Sequence, residues 1–246
     1  MRPGWGLGHA AALIAAVGLW QLLSWWADSP VLPGPALVGL AAIDQLWDGA
    51  LLADIRASLS RVGIGYLLAA CAGVSLGTLT GVAGRSGEPV RSVLELLRPI
   101  PPIAWVPLAI LWFGLGDRAA WFIVFVGAFF PIYIQVSLAV ALCPPQWLEL
   151  AESLGASRGL TLVRIRLPAA AQQIASSLQT GLGLAWTSVI AAELVGAQSG
   201  LGYRIQMHRL MLETEGVIVG MICIGALGFM MSGAAGWIER KVIPWP

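Results

Sequence analysis

The chain has 246 residues, of which 58% are hydrophobic and only 11% charged, with a formal net charge of +1. A soluble domain carries about 25% charged residues, so this composition belongs to an integral membrane protein. The near-zero balance provides no field for nucleic acid or for an acidic partner surface. Cys71, Cys143 and Cys223 lie in or beside apolar runs without metal-ligand spacing and read as small buried hydrophobes.

Runs of about 20 apolar residues cross a bilayer as helices, because each backbone polar group must find its partner within the segment. The first run, Leu7 to Trp26, is membrane-length and is not followed by a small-residue cleavage site, so it reads as a span and not a leader. Next comes "GPALVGLAAIDQLWDGALLADIRASLSRV", with Leu37, Leu40 and Ala41 at helical spacing and acids at Asp44, Asp48 and Asp54. This pattern predicts an amphipathic helix on the outer interface. The second span, Val62 to Ala83, carries Gly73, Gly77 and Gly81, a smooth stripe that lets a neighbouring helix approach closely.

A less regular span follows from Val90 to Gly114, through "RPIPPIAWVPLAILWFG". Its prolines Pro99, Pro101, Pro102 and Pro107 remove donors and break the helix, which a membrane tolerates only where protein or a water-filled cavity satisfies the freed carbonyls. This segment is expected in the interior, with Pro102, Trp105 and Pro107 as candidates to line a pathway.

The remaining spans are Ala119 to Leu142, Ser176 to Val195 and Val217 to Ile238, the last with Gly216 and Gly220 repeating the small-residue device. The second span and these first and last hold no charged residue, as expected when a mid-bilayer charge costs about 2.5 kcal/mol or more. Glu193 is the only acid at the edge of the fifth span. It is a candidate gate or structural ion pair with Arg204 or Arg209, or a side chain that simply snorkels to the interface.

Six spans place both ends on one side. Arg2, Arg85, Arg91, Arg98, Arg158, Arg164, Arg166, Arg240 and Lys241 then share the cytoplasmic face, nine against the five of Arg56, Arg61, Arg118, Arg204 and Arg209 outside. The positive-inside bias therefore puts both termini in the cytoplasm.

The most polar window is "ELAESLGASRGLTLVRIRLP", Glu149 to Pro168, also cytoplasmic by this orientation. Pro144 and Pro145 end the preceding span, and Pro145 suits the first position of a new helix. That helix carries Glu149 and Glu152 one turn apart and is predicted to stop near Gly155, where a left-handed cap suits glycine. A second short helix follows, and Pro168 disfavours helical geometry at Leu167 while opening the next span. The expected product is a helix-turn-helix knob that transmits a push from a soluble partner.

Glu149, Leu150 and Ala151, then three residues, Gly155, nine residues and Ile165-Arg166-Leu167-Pro168, resemble the EAA loop of ABC importer permeases, with Leu150 replacing the first alanine of the pattern. "LRPIPPIAWVPLAILWFGLGD", "AAELVGAQSGLGYRIQ" and the closing "VIPWP" resemble the taurine, sulfonate and nitrate branch of that family, the likeness covering about residues 55 to 246.

The resemblance implies an all-α, polytopic fold of six transmembrane helices, the type I ABC importer permease fold, in a bacterial inner membrane. It divides the chain into residues 1–54, a membrane helix plus an external interfacial segment, and a permease core over 55–246 with a coupling loop over 143–168. It implies two cytoplasmic ABC ATPase subunits, a second permease copy and a periplasmic or extracellular substrate-binding protein as partners. Glu149, Ala151, Glu152, Gly155, Ala156, Arg158, Ile165, Leu167 and Pro168 are the expected ATPase-coupling residues. Cargo on this reading is taurine or another alkanesulfonate, with nitrate, other small anions or a pyrimidine precursor as alternatives.

No cofactor is expected in the chain itself, and ATP with Mg²⁺ is expected on the partner ATPase. A phosphate-binding loop needs G-x-x-x-x-G-K-[ST], and the single lysine is Lys241 in the tail. "GVSLG" around Ser75 fits a serine nucleophile pattern, which would make an intramembrane hydrolase. That chemistry needs a strand-to-helix turn and a nearby histidine base, whereas Ser75 lies inside an apolar helix with His9 and His208 near span ends. A lone secondary transporter would need intramembrane charges or repeated halves, and neither is evident.

Overall fold

The computed structural model describes residues 7–242, with no strand among them. Arg2 and all of the closing motif after Val242 therefore lie outside the described residues. The helices are α1 (Leu7–Ala27), α2 (Pro35–Trp47), α3 (Ala50–Ala83), α4 (Glu88–Leu97), α5 (Val106–Phe113), α6 (Asp117–Ala141), α7 (Pro145–Ser153), α8 (Arg158–Thr161), α9 (Leu167–Gly196), α10 (Leu201–Met211) and α11 (Thr214–Val242). Four helical stretches are long and apolar enough to cross a membrane: Ala50–Leu97, Asp117–Ala141, Arg158–Gly196 and Thr214–Lys241. Shorter apolar runs add Ile14–Ala27 and Pro102–Phe113.

The glycine stripe fixes how the bundle assembles. A Cβ at Gly77 would sit 2.8 Å from the Tyr133 carbonyl oxygen, and one at Gly81 would sit 2.7 Å from that of Ser137. Gly65 likewise meets Val124 and Gly73 meets Ile132. Numbers rise together on both helices, so α3 and α6 run parallel. The chain between them must then return across the bundle, which makes the proline-broken stretch of α4, a 3₁₀ turn over Pro102–Trp105 and α5 the sixth crossing. Its interruption falls where Pro99, Pro101 and Pro102 remove amide donors.

The α9 helix runs antiparallel to α6. At one end the Gly116 amide donates to the Gly196 carbonyl at 3.1 Å, and towards the other the Gln173 amide reaches the Gln135 side-chain oxygen at 3.4 Å. Central α6 is the most enclosed span, 61% of its apolar window being buried, whereas that of α11 is 11% buried. The core along α3, α6 and α9 holds Val62, Ala69, Ile132, Tyr133, Val136 and Val189.

Replacing Gly77 by valine should therefore lower stability by about 1–3 kcal/mol through overpacking. Gly63, whose Cβ position meets nothing within 4 Å, is the control. Gly63→Ala should leave the thermal midpoint in detergent nearly unchanged, and equal midpoints for the two variants would contradict the close packing.

Four local expectations change. The amphipathic segment after the first span is two elements, since the chain turns at Asp48 and Gly49 and α3 already begins at Ala50. At 34 residues, α3 is about 51 Å long, well beyond the roughly 30 Å hydrocarbon layer. Arg56 and Arg61 do not end it, because Arg61 finds the buried acid Glu193, and Asp117 beside it, within the bundle. Leu167 is helical, with φ −66° and ψ −45°, although a proline follows. The chain absorbs Pro168 by widening into a π turn over Leu162–Arg166, a known way to tolerate a missing donor, so α8 and α9 form one continuous rod. Cys143 is buried as expected, but Cys71 lies on an exposed face of α3.

Candidate functional site

The knob is built by two local stop signals. Pro145 opens α7 at its first position, where a missing amide costs nothing. At the other end Gly155 adopts φ +73°. The Ala156 amide then donates to the Ala151 carbonyl at 2.9 Å and the Gly155 amide to the Glu152 carbonyl at 2.9 Å, the paired bonds of a Schellman cap. This explains the glycine in the pattern, since an L side chain at that φ is strained. Ser157 caps α8, its hydroxyl oxygen accepting from the Leu160 amide at 3.3 Å.

The spaced motif residues converge. Ala151, Ile165 and Pro168 line one cleft of about 560 Å³ with Trp147, Leu150 and Leu154. Ala151, Gly155, Ala156 and Ile165 line a second, adjoining depression of about 310 Å³. Leu150 and Leu154 are 59% and 77% exposed, a large apolar outlay for a polar loop and the mark of a surface made to be covered. Glu149, Glu152 and Arg158 are exposed around this centre and form no ion pair among the described residues. Leu167 is half-buried at the start of α9, so the rim of the knob is rigidly joined to a membrane rod.

At the opposite end of the bundle sits a buried polar clamp. Glu193, 1% exposed on α9, accepts from Arg61 Nη1 at 2.8 Å, from the Ser58 hydroxyl at 2.8 Å and from the Gly202 amide at 2.9 Å. Arg61 also donates to Asp117 at 2.7 Å and to the Ser199 carbonyl at 2.6 Å. Beside it Asp54 accepts from the Gly200 amide at 2.7 Å and from Arg204 Nε at 2.6 Å. Gly200 has φ +106°, which lets its amide turn into this cluster.

Glu193 is thus an ion-pair member, but its partner is Arg61 and not Arg204 or Arg209. Arg204 is engaged by Asp54, an acid to which the sequence reading gave no chemistry. The clamp joins α3, α6, α9 and the entry to α10. Sequence marks only that Arg61 abuts an uncharged span; its burial, and so its need for an acid, is seen only in the fold.

The proposed pathway residues are not brought together. Pro102 lines a cleft of about 400 Å³ formed with α6 and α9. Trp105 instead packs edge-on against Phe122, ring centres 6.2 Å apart, and Pro107 lies in the first turn of α5. Ser75 sits within the unbroken α3, and His208 pairs with Glu213 at 2.7 Å beyond the spans, so no strand-to-helix nucleophile turn forms there.

Comparison with known proteins bears on the whole chain. It is 38% identical to a putative ABC transporter permease protein of Methanocaldococcus jannaschii over 94% of this chain and 88% of that protein. It is 32% identical to the putative aliphatic sulfonates transport permease protein SsuC of Bacillus subtilis, over 99% and 89% respectively. A chain of the MetNI methionine ABC transporter, in an inward-facing conformation, superposes with a TM-score of 0.71 at 20% identity, covering 81% of this chain and 98% of that one. The fold is accordingly that of a type I ABC importer permease. Residues 70–244 match the family described as binding-protein-dependent transport system inner membrane component, and the chain belongs to that family.

Proposed function

We propose that this chain forms the translocation pathway of an ATP-driven importer for a small anion, taurine or another alkanesulfonate. Two copies related by a two-fold axis form one passage, and each knob docks one cytoplasmic ATPase subunit that binds ATP and Mg²⁺. A binding protein delivers cargo to the face that carries the Arg61–Glu193 clamp. The observation that carries this reading is the knob itself: Ala151, Ile165 and Pro168 line one exposed, partly apolar cleft, Gly155 lines the depression beside it, and the knob joins a rod continuous with α9. Both termini lie on the knob's side of the membrane.

Closure of the ATPase pair on ATP draws the two knobs together as rigid bodies. Because α8, the π turn and α9 are continuous, that displacement rotates the spans and alternates access. Cargo of the sulfonate class is supported by the name of the Bacillus relative, and similarity to a taurine permease agrees with it. Nitrate is the second reading, favoured by similarity to nitrate import permeases.

The test is uptake into proteoliposomes holding the chain, its ATPase and its binding protein. Taurine or an alkanesulfonate should enter only with ATP inside and binding protein outside. Flux through the chain alone, without an ATPase, would overturn the reading in favour of a solitary transporter.

A further inference from the structure

The cleft against α6 and α9 holds an arginine that nothing described in the fold neutralises. Arg98 follows α4 at the proline break, and with Pro102, Phe130, Gln135, Thr180 and Leu184 it lines the cavity of about 400 Å³. Along α6 the cleft runs from Val126 to Gln135, about 14 Å at the helical rise, from mid-helix towards the end that carries the knob. It therefore leads from mid-helix to the knob side, the face to which the charge bias assigns Arg98, and Arg98 is exposed at its lining.

Arg61 and Arg204 in the clamp each hold a carboxylate within 4 Å, whereas Arg98 is exposed and, like Arg56, Arg118 and Arg209, has no ion pair among the described residues. No acid lines this cleft. The Thr180 hydroxyl donates to the Ser176 carbonyl at 3.0 Å and so has no hydrogen left to give. Gln135 accepts from Gln173 at its oxygen, which leaves both of its own amide hydrogens free. Donors in the cleft are thus the guanidinium of Arg98 and the amide of Gln135, with apolar side chains between them.

We infer that Arg98 and Gln135 form a binding station for the oxyanion of the cargo on its way to the knob side, an assignment that rests on the importer reading above. A guanidinium offers paired N–H donors that match the oxygens of a sulfonate or a nitrate, and such charge-assisted bonds are short and strong. A cavity of this volume accommodates a small anion with a few waters. With no acid in the cleft, an amino group at the other end of the cargo gains no counter-charge there. The station therefore reads the anionic end only and serves sulfonates and nitrate alike.

The test is ATP-driven uptake of taurine, ethanesulfonate and nitrate into proteoliposomes with the ATPase and binding protein present. Arg98→Gln should lower uptake of every anion that the wild type takes by about tenfold or more, the scale of one lost charge-assisted hydrogen bond. Arg98→Lys, which keeps the charge but loses the fork, should fall between the two, below wild type but above Arg98→Gln. Moving the guanidinium across, as Arg98→Gln with Gln135→Arg, should restore part of the rate, which a merely structural arginine would not allow. Undiminished uptake by Arg98→Gln, or equal loss in Arg98→Gln and Arg98→Lys, overturns the station. If Arg98→Gln does not copurify with the ATPase, Gln135→Glu decides: a carboxylate beside Arg98 should abolish uptake, and wild-type rates would overturn the proposal. A wild-type chain that moves none of the three anions overturns the small-anion importer reading itself, and the station with it.

Discussion

Glu193→Ala should destabilise the folded chain by about 3–5 kcal/mol, the scale for removing one partner of a buried ion pair. The loss has an identifiable origin. Arg61 is 3% exposed and would keep its charge with Asp117 as its only remaining acid, itself largely exposed to solvent. The Ser58 hydroxyl and the Gly202 amide would also lose their acceptor. The entry to α10 should then detach from α3 and α9 before the rest of the bundle unfolds. Thermal unfolding of the purified protein in detergent checks this, with Glu88→Ala as a reference. Glu88 is exposed and pairs with Arg91 three residues away, a class of pair worth about 0–1 kcal/mol. Replacing Arg61 and Glu193 together by methionines should cost less than the two single changes summed, because no uncompensated charge remains. Additive losses would show that the two side chains do not act as a pair.

Gly155→Glu should leave the protein inserted in the membrane while ATP-driven uptake falls by about tenfold or more, since the change acts on the docking surface and not on the bundle. Two effects coincide at this position. An L residue at φ +73° costs about 1–2 kcal/mol and tends to open the Schellman cap that sets the angle between α7 and α8. Nothing stands within 4 Å of the Cβ position, so the new carboxylate projects outward over the depression lined by Ala151 and Ile165. Gly155→Asn separates the effects, because asparagine tolerates the left-handed conformation and carries no charge. It should retain much more uptake than Gly155→Glu. Membrane content measured by immunoblot and uptake measured in the same vesicles distinguish loss of coupling from loss of protein. Wild-type uptake by Gly155→Glu would remove the docking role of this turn.

The sequence was most legible where one residue type answers one physical demand. Membrane-length apolar runs announced the spans, Pro145 and Gly155 bounded α7, and Gly73, Gly77 and Gly81 announced the close approach that α6 makes. The pairing of that stripe with α6, and hence the parallel run of the two helices, was not legible, because a smooth face does not name its partner. Helix length was misjudged at α3 because Arg56 and Arg61 were read as outside the membrane body. In the fold Arg61 is buried by acids from α6 and α9, a pairing across 132 residues that no local pattern encodes.

Leu167 was misread for a related reason. The proline rule assumes an α-helical preceding turn, and the widened turn over Leu162–Arg166 evades it. Among the candidate residues of the knob, Ala151, Gly155, Ala156, Ile165 and Pro168 share a fixed spacing and come to line two adjoining clefts, whereas Glu149, Glu152, Arg158 and Leu167 line neither. Those of the broken span were not legible: prolines show where a helix is interrupted but not which side chains turn into the space that results. Trp105 went to aromatic packing and Arg98 to the cleft, and nothing in their immediate sequence separates the two fates.

The central claim is that the Glu149–Pro168 knob is gripped by a separate nucleotide-hydrolysing subunit. A photo-crosslinker placed at Leu154, which is 77% exposed on the knob, tests it in the purified assembly, with a second probe at Leu210, 65% exposed beyond the other end of the bundle. The account predicts that the Leu154 probe captures the ATPase subunit and that the Leu210 probe does not. Capture of the ATPase from Leu210, with none from Leu154, would contradict it.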